Sequence, residues 1–262
     1  MLRYLIRSAG LAVFFAAFSS FVLAQTQNPP STYEPHSYQA GKDTVWIPTA
    51  QVVVDKMLDL AKVTSSDIVM DLGSGDGVLV ITAAKLGARA LGIEYNPDLV
   101  ELSRRNAEKE GVTGKATFIK ADIFETGFSD ASVIAMFLPT EINLKLRPKI
   151  LALKPGTRIV SNSFNMGEWI ADETATLSSD AGCNTSWCTA LLWIVPARVA
   201  GTHQIPLGEL ILKQEFQTLS GSLRTEGKMF SLEGKVRGEE ITFKAGGREY
   251  RGRMNGQQLE LR

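Results

Sequence analysis

Val69-Met70-Asp71-Leu72-Gly73-Ser74-Gly75-Asp76-Gly77 is the stretch that decides the fold. An apolar run ends in an acid and passes directly into glycines at alternate positions, after which residues 78–86 carry a helical pattern. Buried strand, glycine turn and helix in that order make the opening unit of a nucleotide-binding α/β sheet. A dinucleotide loop of the form G-x-G-x-x-G would place its last glycine at position 78, where this chain has Val78. Asp71 and Asp76 add negative charge that repels a diphosphate and attracts a cation. The loop therefore favours a cationic nucleoside over a dinucleotide.

Working outward, strand-like runs at 68–72, 90–95, 116–121 and 133–138 alternate with helical patterns at 78–86, 99–110 and 143–153. Thr49 is positioned to cap a helix carrying Val54, Met57, Leu58 and Ala61, and Asn96-Pro97 supplies a cap and a first-turn proline for the helix that Gly111 stops. Glu101 and Arg105 are spaced to pair across one turn of that helix. A fifth strand falls at 158–164, and runs at 174–178 and 190–195 form a hairpin that sets one strand antiparallel to the others. The expected architecture for 46–200 is a Rossmann-like, doubly wound, mostly parallel sheet of seven strands. Residues 201–262 change to short alternating segments. Residues 232–243 repeat at 250–261 with both glycines kept, which predicts a small antiparallel β meander or barrel.

Residues 1–24 read as a cleaved signal peptide, with Arg3 and Arg7 ahead of an apolar run and Val22-Leu23-Ala24 as the cleavage site; an uncleaved anchor is the alternative. Residues 25–45, proline-bearing and polar, read as a linker or a flap over the site. The expected location is the periplasm or the outer face of a membrane. Lys+Arg and Asp+Glu both total 28, so no net field draws the chain to nucleic acid. Cys183 and Cys188 are too few for a structural metal centre, and in an exported chain a local disulfide is the favoured state, with two free thiols as the alternative. His36 and His203 lie far apart and suggest neither base nor ligand, so no metal site is expected.

Three strand ends supply the candidate site. Asp71 and the loop Gly73, Ser74, Gly75 and Gly77 follow the first strand. Glu94 ends the second and is placed for ribose hydroxyls, with Tyr95 beside it for the adenine; Asp122 and Ile123 end the third and address the adenine edge and face. The cationic nucleoside that suits this set is S-adenosyl-L-methionine.

Residues 46–196 resemble class I methyltransferases, most of all the protein-lysine methyltransferases of the mitochondrial ATP-synthase and adenine-nucleotide-translocase type and their bacterial relatives. The matching stretches are Pro48-Thr49, Asp71 through Gly77, Ala83-Ala84-Lys85, Gly92-Ile93-Glu94, Asp122-Ile123-Phe124 and Met166-Gly167-Glu168-Trp169. Val78 stands where the family usually carries Arg. The resemblance implies that Asp71, Gly73, Gly75, Glu94 and Asp122 bind cofactor and that Thr49 approaches its amino-acid end. It implies methylation of a protein lysine or other amine. A small-molecule or lipid acceptor, or a non-catalytic nucleoside-binding envelope protein, are the competing readings. Phe137 and Trp169 each read equally as core or as aromatics facing a cationic acceptor, and no catalytic residue is assigned.

Overall fold

The computed structural model describes residues 33–256 and 258–262, so the signal peptide expected at 1–24 and the first part of the expected linker lie outside the described residues. The chain enters through a two-stranded hairpin, β1 (Gln39–Ala40) and β2 (Val45–Trp46), and a first helix, α1 (Gln51–Leu60). There follow β3 (Ile68–Leu72), α2 (Val78–Lys85), β4 (Arg89–Glu94), α3 (Pro97–Lys109), β5 (Ala116–Lys120), β6 (Val133–Met136), α4 (Thr140–Ile150) and β7 (Arg158–Asn162). The hairpin β8 (Glu173–Thr176) and β9 (Thr189–Ile194) completes a mixed seven-stranded sheet of order β5-β4-β3-β6-β7-β9-β8. β9 pairs antiparallel with both its neighbours, and the other ladders are parallel.

The near-continuous apolar strands arise because both faces of the sheet are covered. Val69, Val133 and Ala135 join one core with α1, α2 and α3, while Met70, Leu72, Ile134 and Met136 join another with Ile142, Leu146 and Ile150 of α4. Asn96 caps α3 by accepting the Asp98 amide at 2.9 Å, as its sequence signals. Three local expectations shift. Ala50, not Thr49, is the residue before α1 and gives no side-chain cap, which leaves Thr49 in the extended segment upstream. α4 begins and ends three residues earlier than its pattern suggested. Glu101 pairs with Arg104 at 3.8 Å rather than with Arg105, three residues on instead of four.

Seven further strands run as an antiparallel meander: β10 (Gly201–Ile205), β11 (Gly208–Glu215), β12 (Thr218–Thr225), β13 (Lys228–Arg237), β14 (Glu240–Ala245), β15 (Arg248–Asn255) and β16 (Gln258–Leu261). The first and last approach each other, so this second sheet is partly barrel-like around Leu210, Leu219, Leu232, Ile241 and Phe243. The internal repeat is the pair of hairpins β13–β14 and β15–β16. The interior glycines that both copies retain have one cause: a Cβ would fall 2.4 Å from the Thr242 carbonyl at Gly234 and 2.6 Å from the Glu260 carbonyl at Gly252.

This sheet is fastened to the first. Phe216, in the β11–β12 turn, stacks on the fully buried Trp169 at 6.0 Å with 11° between planes, and the Arg147 guanidinium lies 5.3 Å from its centre. Gln217 Nε2 donates to the Ile170 carbonyl at 2.7 Å, and Arg237 pairs with Glu173. Trp169 therefore belongs to the core that joins the two sheets.

Gly77 opens α2 at φ +85°, and a Cβ there would come within 2.8 Å of the Phe118 ring and 3.0 Å of Ser103 Cβ. Left-handed strain and overpacking together predict that Gly77→Ala lowers the stability by about 2–4 kcal/mol, measured by urea denaturation.

Candidate active site

The carboxyl ends of β3, β4, β5 and β6 open into a cleft of about 1020 Å³ with open solvent included, and the β1–β2 hairpin, residues 39–46, contributes to its lining. Ligands of open α/β sheets lie at this edge because neighbouring loops diverge there.

The glycine loop is fixed by backbone groups. Gly73 and Ser74 amides both donate to the Ile93 carbonyl, at 2.8 and 3.1 Å. The Gly75 amide donates to Glu94 Oε2 at 3.0 Å, while Glu94 Oε1 accepts the Asn96 amide at 2.8 Å. Ser103 Oγ holds the Gly75 carbonyl at 2.8 Å and Asn106 Nδ2 the Asp76 carbonyl at 2.9 Å. Gly75, at φ +55°, is overlain by the flap: a Cβ there would lie 2.5 Å from Trp46 Nε1. The loop is thus close-packed on one side by α3 and on the other by Trp46.

Electrostatics give the cleft its character. Asp71 is buried, and among the described residues no side-chain hydrogen bond or salt bridge reaches its carboxylate. Burial first, and then the charges of Glu94 and Asp76, push its pKa up to about 8. Asp76 is also raised by burial, against the Val78 amide that donates to it at 3.3 Å. Asp122 shows the opposite case: the Lys42 ammonium hydrogen-bonds to it and holds its carboxyl below the ordinary range, while the Phe124 amide donates to Oδ1 at 2.8 Å. Lys42 also lies 5.0 Å from the Tyr95 ring centre. One end of the cleft therefore has an acid already matched by a flap cation, and the other has an acid with none.

Thr49, Asp71, Gly73, Ser74, Gly75, Glu94, Tyr95, Asp122 and Ile123 all line the cleft, so the structure brings nine of the expected residues together. Gly77 does not line it: it faces Phe118 and Ser103, and its place in the motif is explained by packing. The Ser74 hydroxyl turns toward Gly92, where a Cβ would lie 2.5 Å away, and is buried without a partner. Sequence reasoning passed over Trp46 and Lys42. Trp46 was the available signal, a large apolar side chain two residues before Pro48 at the end of a polar stretch.

These residues fit S-adenosylmethionine. A buried carboxylate that lacks a cation suits its ammonium and sulfonium charges, Glu94 retains acceptor capacity for ribose hydroxyls, and Ile123, Leu99 and Leu138 give apolar walls for the base.

A mixed seven-stranded Rossmann-like sheet with this acidic glycine cleft defines a methyltransferase that uses S-adenosylmethionine. Residues 71–173 match the model of the ANTKMT methyltransferase domain family. A protein-lysine N-methyltransferase from Saccharolobus islandicus is 46% identical over 127 residues, covering 47% of this chain and 79% of that protein. The ATP synthase lysine N-methyltransferase of Mus musculus is 33% identical, covering 72% of this chain and 74% of that enzyme, whereas the match to its Rattus norvegicus counterpart, 37% identical over 45% of this chain, spans 53% of that enzyme's length. A crystal structure of an RNA methyltransferase from Salinibacter ruber with S-adenosyl-L-homocysteine superposes with a TM-score of 0.54 at 42% identity, over 58% of this chain and 96% of that one. The chain belongs to the ANTKMT-type protein-lysine methyltransferase family.

The raised Asp71 pKa has a signed consequence. Between the unfolded value of 3.8 and about 8 the folded chain binds more protons, so this group's contribution to stability is complete below 3.8 and is lost as pH rises through about 8. Asp71→Asn removes the ionisation. It is expected to raise Tm by roughly 5 °C or more at about pH 8 and to change it little near about pH 4, as read by calorimetric melts across pH.

Proposed function

We propose that this chain methylates lysine ε-amino groups of a protein substrate, outside the cytosol, and that Asp71 anchors the amino-acid end of the methyl donor. The observation that carries the donor assignment is the buried Asp71 carboxylate without a cation beside a close-packed glycine loop. When bound, S-adenosylmethionine supplies an electrophilic methyl on a sulfonium; an amine lone pair forms the new N–C bond while the S–C electron pair stays on sulfur.

The chain's own residues then bind, align and exclude water, which is most of what a direct displacement needs. Asp71 holds the ammonium, and Thr49 lies at the same end. Glu94 takes the ribose hydroxyls while keeping the Gly75 and Asn96 amides, so ligand and loop share one carboxylate. Tyr95 and Ile123 flank the base. Trp46 covers the glycine loop, and the Lys42–Asp122 pair ties the flap across the nucleoside end.

The lysine acceptor is supported by the relatives of Saccharolobus and mouse, both named as lysine methyltransferases. The equal numbers of acidic and basic residues weigh against the RNA acceptor named for the Salinibacter protein. Export is supported by the targeting pattern of 1–24 together with the Cys183–Cys188 disulfide, a bond that persists in oxidising compartments.

Methyl-labelled S-adenosylmethionine, incubated with the protein and an envelope extract separated into protein, lipid and RNA, tests the assignment. Label in protein that hydrolyses to methyl-lysine is expected, with Asp71→Asn reducing it by at least about a hundredfold, the loss of one buried ion pair. Label confined to lipid or RNA would contradict it.

A further inference from the structure

A second constellation lies at the β6 edge of the cleft. Phe137, a cleft-lining residue directly after β6, has its ring centre 5.9 Å from that of Phe164 and 5.8 Å from that of Trp187; Phe164 and Trp187 are 5.1 Å apart. All three are only half-buried, although aromatic side chains are ordinarily worth more when fully buried.

Each ring reaches this point by a device that fixes it. Phe164 follows Ser163, a non-glycine residue held at φ +61°, in a turn at the end of β7. The Phe164 carbonyl accepts Ser161 Oγ at 2.8 Å and Asn143 Nδ2 at 3.4 Å, and its amide donates to the Asn162 carbonyl at 2.7 Å. Backbone strain that is over-determined by its surroundings is characteristic of functional sites. Trp187 sits inside the small ring closed by the Cys183–Cys188 disulfide. Cys183 is itself buried in the α1 core beside Val53 and Val54, so the loop is pinned at its base and presents Trp187 next to its second cysteine. This loop lies beyond the stretch 71–173 that matches the family model.

We propose that Phe137, Phe164 and Trp187 form an aromatic acceptor site for an alkylammonium, and that the disulfide positions Trp187 within it. The inference rests on the methyltransferase reading and says how that site selects an amine. Methyl transfer to a neutral amine leaves the positive charge on the acceptor nitrogen, so π faces at the acceptor end are attracted more strongly to the product-like state than to the neutral nucleophile. A carboxylate in the same place would instead hold the proton on the amine and keep its lone pair unavailable. Aromatic faces attract the methylated cation without that full counter-charge.

The test uses the full chain saturated with S-adenosyl-L-homocysteine, titrated with ε-trimethyl-lysine and with its neutral carbon isostere, read by tryptophan emission and by saturation transfer from ring protons. The cation is expected to bind and the neutral isostere to bind at least about tenfold more weakly. Trp187→Ala should weaken cation binding about tenfold, Trp187→Phe less than about threefold, and Cys183→Ser/Cys188→Ser or reduction of the wild type should approach the alanine result. Affinity for S-adenosyl-L-homocysteine should stay unchanged in each, which also shows that the variants fold. Equal binding of cation and isostere, no binding of the cation, or a Trp187→Ala affinity within about twofold of wild type would overturn the proposal. Failure of the wild type to bind S-adenosyl-L-homocysteine would instead overturn the methyltransferase reading beneath it.

Discussion

A carboxylate buried without a counter-charge is the constraint around which this protein is arranged. Asp71 sits on the central strand of the first sheet, where burial and the neighbouring Glu94 and Asp76 raise its pKa to about 8. A fold meets that cost only if something positive belongs there. The three nearby devices make sense in that light: glycines that admit close approach, Glu94 bracing the loop through the Gly75 amide, and a flap whose Trp46 covers the loop. At the far end the flap's Lys42 supplies Asp122 with the cation that Asp71 lacks.

Much of the first sheet was legible in the sequence because its periodicities are local. The strand–glycine–helix passage at 69–78, the Asn96-Pro97 start and the β8–β9 hairpin are each read from fewer than about twenty neighbouring residues, the range over which pattern and turn chemistry operate. Nine of ten expected cleft residues also converge, because strand ends in a parallel sheet face one edge. Gly77 shows the limit of motif reading: a glycine within a ligand loop can be required by a neighbour's ring, here Phe118, rather than by the ligand. Thr49 shows another. Its side chain suits a cap, yet helix α1 starts one residue later behind Ala50, and Thr49 faces the cleft.

What the sequence could not disclose were contacts between distant segments. Lys42 with Asp122 spans 80 positions, and the Trp169–Phe216 stack joins residues of two different sheets. The repeat at 232–261 foretold hairpins but not their attachment to the first sheet, since Phe216 and Gln217 look like ordinary turn residues until Trp169 and Ile170 are seen beneath them. The aromatic cluster is a similar case. Phe137, Phe164 and Trp187 carry no shared spacing, and only the β6 and β7 ends and the disulfide loop bring them together.

Proton-linked calorimetry is the most direct measurement of the central claim that Asp71 is completed by a cationic donor. S-adenosylmethionine is titrated into the protein in buffers of differing ionisation enthalpy. Since Asp71 is protonated below about pH 8 and the ligand's α-amino group ionises at about 7.7–8.0, binding at about pH 6.5 should release roughly one proton, with uptake above about pH 8.5 and release absent in Asp71→Asn. Binding of equal strength to wild type and Asp71→Asn, with no proton released by either at about pH 6.5, would contradict it.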